Sequence, residues 1–181
     1  MRNATLWQGG VGEPADATSE GVYASILSTL GALFESTDVA GRHIVISGLG
    51  QVGGRLLKRL AAAGAKLTVT DVNLAKKELA ASLGASWVDV ADAHKVEADL
   101  FVPCGLGGVL TPQVIAELGV KGVVGAANNQ LANHHGAAEL AARSILWAPD
   151  FVVNGGGVIF LDMAMRPGAD AAAITARLDA A

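Results

Sequence analysis

The stretch His43-Ile44-Val45-Ile46-Ser47-Gly48-Leu49-Gly50-Gln51-Val52-Gly53 decides how this chain is read. Residues 43–47 are β-branched and apolar, which suits a buried strand. Residues 51–63, rich in Leu and Ala, suit a helix. Three glycines, Gly48, Gly50 and Gly53, sit at the join. The first permits a tight turn. The second clears a side chain from the path of a ligand running past the backbone. The third lets helix and strand pack closely. The start of the helix then offers orphan N–H groups and the positive end of a dipole to an anion.

The same alternation of strand and helix continues to both sides. Residues 1–17 read as loop, with Gly9, Gly10, Gly12 and Pro14 as breakers. A leading helix is expected over 19–36, where Val22, Ile26, Leu30 and Leu33 recur at helical spacing and Thr18 or Asp16 stands ready as cap. Strands are expected at 66–70, 86–88, 99–102 (ended by Pro103), 122–125 and 144–147. Helices are expected at 74–83, 111–118, 136–142 and from Asn154 or Gly155, with a short crossover over 91–97. Thr111-Pro112 is an N-cap followed by a proline whose missing N–H costs nothing there. Such alternation predicts an α/β fold, a Rossmann-type, doubly wound, mostly parallel sheet. The expected organisation is one domain over 1–181: loop 1–17, leading helix 19–36, core 43–165 and a tail 166–181 whose alanine-rich end forms a frayed helix.

Asp71 closes the second strand roughly 20 residues after the glycines, where a carboxylate accepts from ribose hydroxyls and repels a 2′-phosphate. NAD is therefore expected over NADP, with Gln51, Val52 and Val72 beside the phosphates and ribose. Lys76 and Lys77 leave some room for NADP, and a strand-end Asp that only caps the next helix is the plainer alternative.

Composition limits the partners. Of 181 residues, 13 are Lys or Arg and 17 are Asp or Glu, a net charge of −4. That mild acidity speaks against nucleic acid or an anionic membrane as a main partner. The apolar runs are too short to cross a bilayer. The first residues carry no apolar core of a signal peptide, so a cytoplasmic location is expected. A single cysteine, Cys104, excludes an internal disulfide, and four histidines without metal-ligand spacing predict no metal site. His134 and His135 are the weak candidates for acid–base work, against the plainer reading of two surface histidines. Asp150 reads as a turn or cap before an apolar, strand-like run, and the three tryptophans as packing.

Several further segments carry a resemblance. Gly9-Gly10 with Thr18–Tyr23, then Gly48–Gly53, Ala63–Asp71, Pro103–Gly108, Ala127–Leu131 and Ala148–Val158 run in the order found in glutamate/leucine/phenylalanine/valine dehydrogenases. The chain resembles their C-terminal, NAD-binding domain, nearest the leucine and phenylalanine members. The resemblance implies that Thr18 holds the nicotinamide carboxamide and that Cys104 and Gly105 pass beside the cofactor by their backbone. It implies that Ala127, Asn128 and Asn129 border the nicotinamide ribose and substrate, and that Asn154 contacts the nicotinamide side. Asn128 stands where these enzymes commonly carry Asp.

The matched region begins after the lysines and the proton-relaying acid of the family's N-terminal substrate domain, which is expected to be absent. Lys58, Lys66, Lys76, Lys77, Lys95 and Lys121 all read as solvated positions. The chain thus reads as a stand-alone cofactor domain with Met1 as a candidate start. The favoured expectation is an oxidoreductase acting on an amino acid, imine or 2-oxo acid, completed by a homo-oligomer or a partner chain. A non-catalytic NAD(H) sensor and an enzyme that recycles NAD as a prosthetic group are the alternatives.

Overall fold

The computed structural model describes residues 13–166 together with 170, 172, 173, 176 and 177. Gly9, Gly10, Gly12 and most of the tail lie outside the described residues. Ala172, Ala173, Ala176 and Arg177 are helical.

Six strands form one all-parallel sheet in the order β3-β2-β1-β4-β5-β6. They are β1 (His43–Ser47), β2 (Lys66–Thr70), β3 (Ser86–Trp87), β4 (Ala98–Pro103), β5 (Val120–Val123) and β6 (Leu146–Trp147). The helices are α1 (Pro14–Phe34), α2 (Gln51–Ala62), α3 (Lys76–Ser82), α4 (Pro112–Glu117), α5 (Gly136–Ala142), α6 (Asp150–Val153) and α7 (Gly156–Ala164). A 3-10 turn, Ala93–Lys95, lies between β3 and β4.

The alternation of β1 sends its side chains to two cores. Ile44 and Ile46 join Val22, Ile26 and Leu30 of α1 and Leu56, Leu57 and Leu60 of α2. Val45 joins Phe101, Leu110, Ile115 and Leu140 on the opposite face. Each fully buried Leu or Ile here contributes about 2 kcal/mol of apolar burial. Helices on both faces are what a parallel sheet needs, since neither face is left to water.

The larger departures from the expected boundaries have local reasons. The leading helix begins at Pro14 rather than 19 and ends at Phe34, so residues 14–17 are not loop. Proline's fixed φ starts the helix, and the hydroxyls of Thr18 and Ser19 donate back to the carbonyls of Pro14 and Asp16 at 2.8 Å each instead of capping. Helix α3 starts at Lys76 rather than 74 because Asn73 accepts from the Ala75 N–H at 3.1 Å and holds the chain in a turn. Strand β5 covers Val120–Val123 rather than 122–125. Gly122 lies inside the sheet, where a Cβ would stand 2.8 Å from Leu100 Cδ2 and 3.0 Å from Leu33 Cδ1. Ser144 has φ +56, a turn conformation, so β6 begins only at Leu146. The strand-like run after Pro149 is the short helix α6.

Candidate functional site

The strand order reverses between β1 and β4, and the crevice outside the C-terminal strand ends at such a reversal is where ligands bind in open α/β sheets. The glycine turn lies on one side of it. Gly48 has φ +102, and a Cβ there would stand 2.7 Å from the Gly105 nitrogen and 2.9 Å from the Cys104 carbonyl carbon. Its N–H donates to the Thr70 carbonyl at 2.8 Å, while the Cys104 N–H donates to the Ser47 carbonyl at 2.7 Å. The turns after β1 and β4 therefore touch backbone to backbone. A Cβ at Gly53 would collide with the Gly48 carbonyl, so that glycine closes helix α2 onto the turn. Gly50 is different: it is exposed, and a Cβ there would meet nothing within 4 Å.

Helix α2 begins at Gln51, directly behind Gly50, with Val52 half-buried in its first turn. The first-turn N–H groups have no carbonyl one turn back to accept them. Asp71 stands across from the turn. One of its carboxylate oxygens accepts from the Leu49 N–H at 2.5 Å and the other from the Asn73 N–H at 2.7 Å. The side chain thus holds the glycine turn in place and starts the next turn, and Val72 beside it is 86% exposed.

Opposite lie the loops after β4, β5 and β6. Gly105 is exposed and Cys104 half-buried. Burial pushes the Cys104 thiol up to about 11, a backbone hydrogen bond with Ala126 opposing it more weakly. The thiol is neutral near pH 7 and is no nucleophile. In unfolded chain it ionises near 9.0, so at pH 8 its folded thiolate fraction is about a hundredfold smaller. Alkylation by iodoacetamide at pH 8 is expected to run about a hundredfold slower in the folded chain than in urea, read by mass spectrometry. Equal rates would contradict the burial. The sign for stability follows: the unfolded chain loses this proton first, so stability falls as pH rises from about 9 to about 11.

The loop after β5 is held by side chains. Ala127 is buried, and its N–H donates to the Pro103 carbonyl at 2.9 Å. Asn154 Nδ2 donates to Asn128 Oδ1 at 2.7 Å and to the Ala126 carbonyl at 3.2 Å. Asn128 thereby offers an acceptor just as a carboxylate at that position would, without the charge. Asn129 takes φ +52; its N–H donates to Asp150 Oδ2 at 2.8 Å and its carbonyl accepts from the Gly108 N–H at 2.7 Å. Thr18, on α1, lies against Gly157 of α7, where a Cβ would collide with its hydroxyl.

His134 and His135 stand exposed at the entry to α5, their rings tilted by 45° with centroids 3.8 Å apart, and the His135 N–H donates to Asn133 Oδ1 at 2.8 Å. Two residues, Gln130 and Arg55, escaped the reading of the sequence, and Asp150, read as a turn or cap, accepts from the Asn129 N–H across the site. Gln130, fully buried, donates to the Gly125 carbonyl at 2.8 Å and accepts from Trp147 Nε1 at 3.1 Å. Arg55 ties α2 to α1. A glutamine beside two asparagines in an otherwise apolar stretch was the available signal for Gln130. No signal marked Arg55, whose acidic partners lie 39 and 42 residues away. Among the described residues, no cluster of three or more His, Cys, Asp or Glu could hold a metal, and no helix is long and apolar enough to cross a membrane.

Comparison with known proteins agrees with this architecture. The family model described as Glutamate/Leucine/Phenylalanine/Valine dehydrogenase matches residues 70–177. The phenylalanine dehydrogenase of Lysinibacillus sphaericus is 41% identical over 157 residues, which is 83% of this chain and 41% of that protein. The leucine dehydrogenase of Geobacillus stearothermophilus is 39% identical over 155 residues, again 83% and 41%. The crystal structure of L-tryptophan dehydrogenase from Nostoc punctiforme superimposes with a TM-score of 0.88 at 34% identity, over 92% of this chain and 51% of that one. The chain thus spans about 41% of the length of these curated relatives. The match covers more than half of the sequence, and its residues build the crevice from Asp71 to Gly157: the chain belongs to the glutamate/leucine/phenylalanine/valine dehydrogenase family.

Proposed function

We propose that this chain is the NAD(H)-binding part of an amino acid dehydrogenase-type oxidoreductase that acts on an amino acid, an imine or a 2-oxo acid. The observation that carries the reading is the hydrogen-bonded set on the β4–β5–β6 side, Asn154 to Asn128 and Asp150 to Asn129. A protein that gripped only the adenosine half would have no physical need of it. The cofactor fits the residues present. The open face at Gly50 and the N–H groups at the start of α2, from Gln51 and Val52, suit a pyrophosphate. Asp71 and Val72 border the ribose, and the Asp71 oxygens keep lone pairs for ribose hydroxyls beyond the two bonds they accept. Cys104 and Gly105 line the crevice by backbone. Thr18, Ala127, Asn128, Asn129 and Asn154 orient the nicotinamide end. When bound, the nicotinamide supplies or accepts a hydride.

What this chain's own residues do is bind, orient and keep the loops rigid. Lys58, Lys66, Lys77, Lys95 and Lys121 are exposed and Lys76 is half-buried. Lys77 lies over the Trp87 ring, Lys121 over Phe34, and Lys95 pairs with Asp92. Groups that activate water or hold a substrate carboxylate therefore come from elsewhere, from a further part of the protein, another copy or a partner chain. A cytoplasmic location and a homo-oligomer belong to the same reading. These lysine positions also favour a second reading, a non-catalytic NAD(H) sensor.

Turnover separates the two. NADH oxidation is followed at 340 nm with a panel of 2-oxo acids plus ammonia, for the chain alone and mixed with the rest of its natural protein or its genomic neighbours' products. The dehydrogenase reading expects no measurable rate alone and a rate that appears on mixing. Tight NADH binding with no hydride transfer in any mixture would favour the sensor.

A further inference from the structure

Arg55 lies one helical turn into α2, on the same face as Gln51 at the helix start. Its side chain is 30% exposed, and all three guanidinium nitrogens donate hydrogen bonds. Nη1 donates to the Gln51 carbonyl at 2.8 Å and to Gln51 Oε1 at 2.7 Å. Nη2 donates to Glu13 Oε2 at 2.6 Å, and Nε donates to Asp16 Oδ1. Single exposed ion pairs are worth little, but a fork that satisfies two carboxylates and a backbone carbonyl at once is a network with fixed geometry. Glu13 and Asp16 sit at the first turn of α1, the helix that carries Thr18, and Gln51 is the first residue of the phosphate-facing helix. One side chain therefore joins the start of α1 to the start of α2. It also cancels negative charge beside the place where a pyrophosphate is to be held.

We propose that Arg55 is a positioning residue for the dinucleotide: it neutralises Glu13 and Asp16 next to the α2 N-terminus and fixes α1 relative to it. The proposal rests on the NAD(H) reading above. Without Arg55, two uncompensated carboxylates would face the two phosphate charges. Such repulsion acts over a Debye length of about 10 Å at 0.1 M salt and is largely screened at higher salt. Arg59, one turn further from the phosphate end, gives the control. It pairs with Glu20 and lies 3.8 Å over the Tyr23 ring, so it also ties α2 to α1.

The experiment titrates NADH by fluorescence against the full chain at 50 and 500 mM NaCl. Arg55→Gln is expected to weaken binding about tenfold at low salt and less than about threefold at high salt. Adding Glu13→Gln and Asp16→Asn to that variant is expected to restore most of the affinity. Arg59→Gln is expected to stay within about twofold of the parent while losing a comparable amount of thermal stability. If Arg55→Gln does not fold, Glu13→Gln/Asp16→Asn alone decides. Arg55 then keeps an unpaired charge, and NADH binds about threefold more tightly at low salt. Affinity within twofold of the parent in folded Arg55→Gln, a loss unchanged by salt and by the acid substitutions, or an unaltered affinity in the double variant each overturns the proposal. A parent chain that binds no NADH removes the reading beneath it as well.

Discussion

Gly50→Ala is expected to fold and melt like the parent chain and to bind NADH about a hundredfold more weakly, a loss of about 2.8 kcal/mol. The two halves of this outcome have separate causes. Gly50 has φ −70 and ψ −152, near the extended region that other residues adopt. A Cβ there meets no protein atom within 4 Å, so nothing in the fold resists it. On the proposed reading, the same Cβ projects into the space through which the pyrophosphate passes to reach the first turn of α2. Its methyl group holds the phosphates away from the N–H groups that bind them. Circular dichroism melts and an NADH titration on one preparation check both halves. Unaltered affinity would mean that the cofactor does not run past this residue.

Gly48→Ala, two residues away, is expected to do the opposite kind of damage. With φ +102, an alanine would sit in backbone space that L residues rarely occupy, which costs about 1–3 kcal/mol. Its Cβ would also stand 2.7 Å from the Gly105 nitrogen and 3.0 Å from Gly105 Cα. Backbone cannot swing aside as a flexible side chain does, so overpacking adds about 1–3 kcal/mol. Together these cost about 3 kcal/mol or more, a drop in Tm of about 10 °C for a domain of this size. NADH binding is lost along with stability, because the turns after β1 and β4 are forced apart. A Tm within 2 °C of the parent would contradict the backbone contact between those turns.

The pair explains why so much of this fold was readable from one stretch of sequence. Glycine spacing, an apolar strand before it and a helix after it are local features, and local features fix β1, α2 and the position of Asp71. Helix α4 was equally legible, because Thr111 caps it as expected, accepting from the Val114 N–H at 3.2 Å. What went astray depended on distant partners or on residues with two uses. Thr18 and Asp16 are good caps by type, yet Pro14 starts the helix earlier, so the Thr18 hydroxyl donates back to the Pro14 carbonyl and Asp16 accepts from Arg55 instead. Gly122 reads as a strand boundary, yet it sits inside β5 because Leu100 and Leu33 close over it. Of the candidate site, the residues of the glycine turn and Asp71 were legible from spacing. Thr18, Asn128, Asn129 and Asn154 were legible only through resemblance. Their supports, Asp150, Gln130 and Arg55, depend on pairings across the fold that no spacing rule encodes.

Asp71 has a structural role in the fold and a proposed one toward the cofactor. The plain reading was a strand-end Asp capping the next helix; instead Ala75 is the N-cap of α3, and Asp71 accepts from the Asn73 N–H in the turn before it. The functional reading was a ribose acceptor, and the second oxygen is held toward the glycine turn by the Leu49 N–H. A carboxylate fixed in this way accepts from hydroxyls but repels a 2′-phosphate, so the crevice is expected to discriminate between the two nicotinamide dinucleotides.

Calorimetric titration of the purified chain with NADH and, in parallel, with NADPH tests this account most directly. The account predicts saturable binding of one NADH per chain and binding of NADPH at least about tenfold weaker. Absence of saturable NADH binding at millimolar concentration, or tighter binding of NADPH than of NADH, would contradict it.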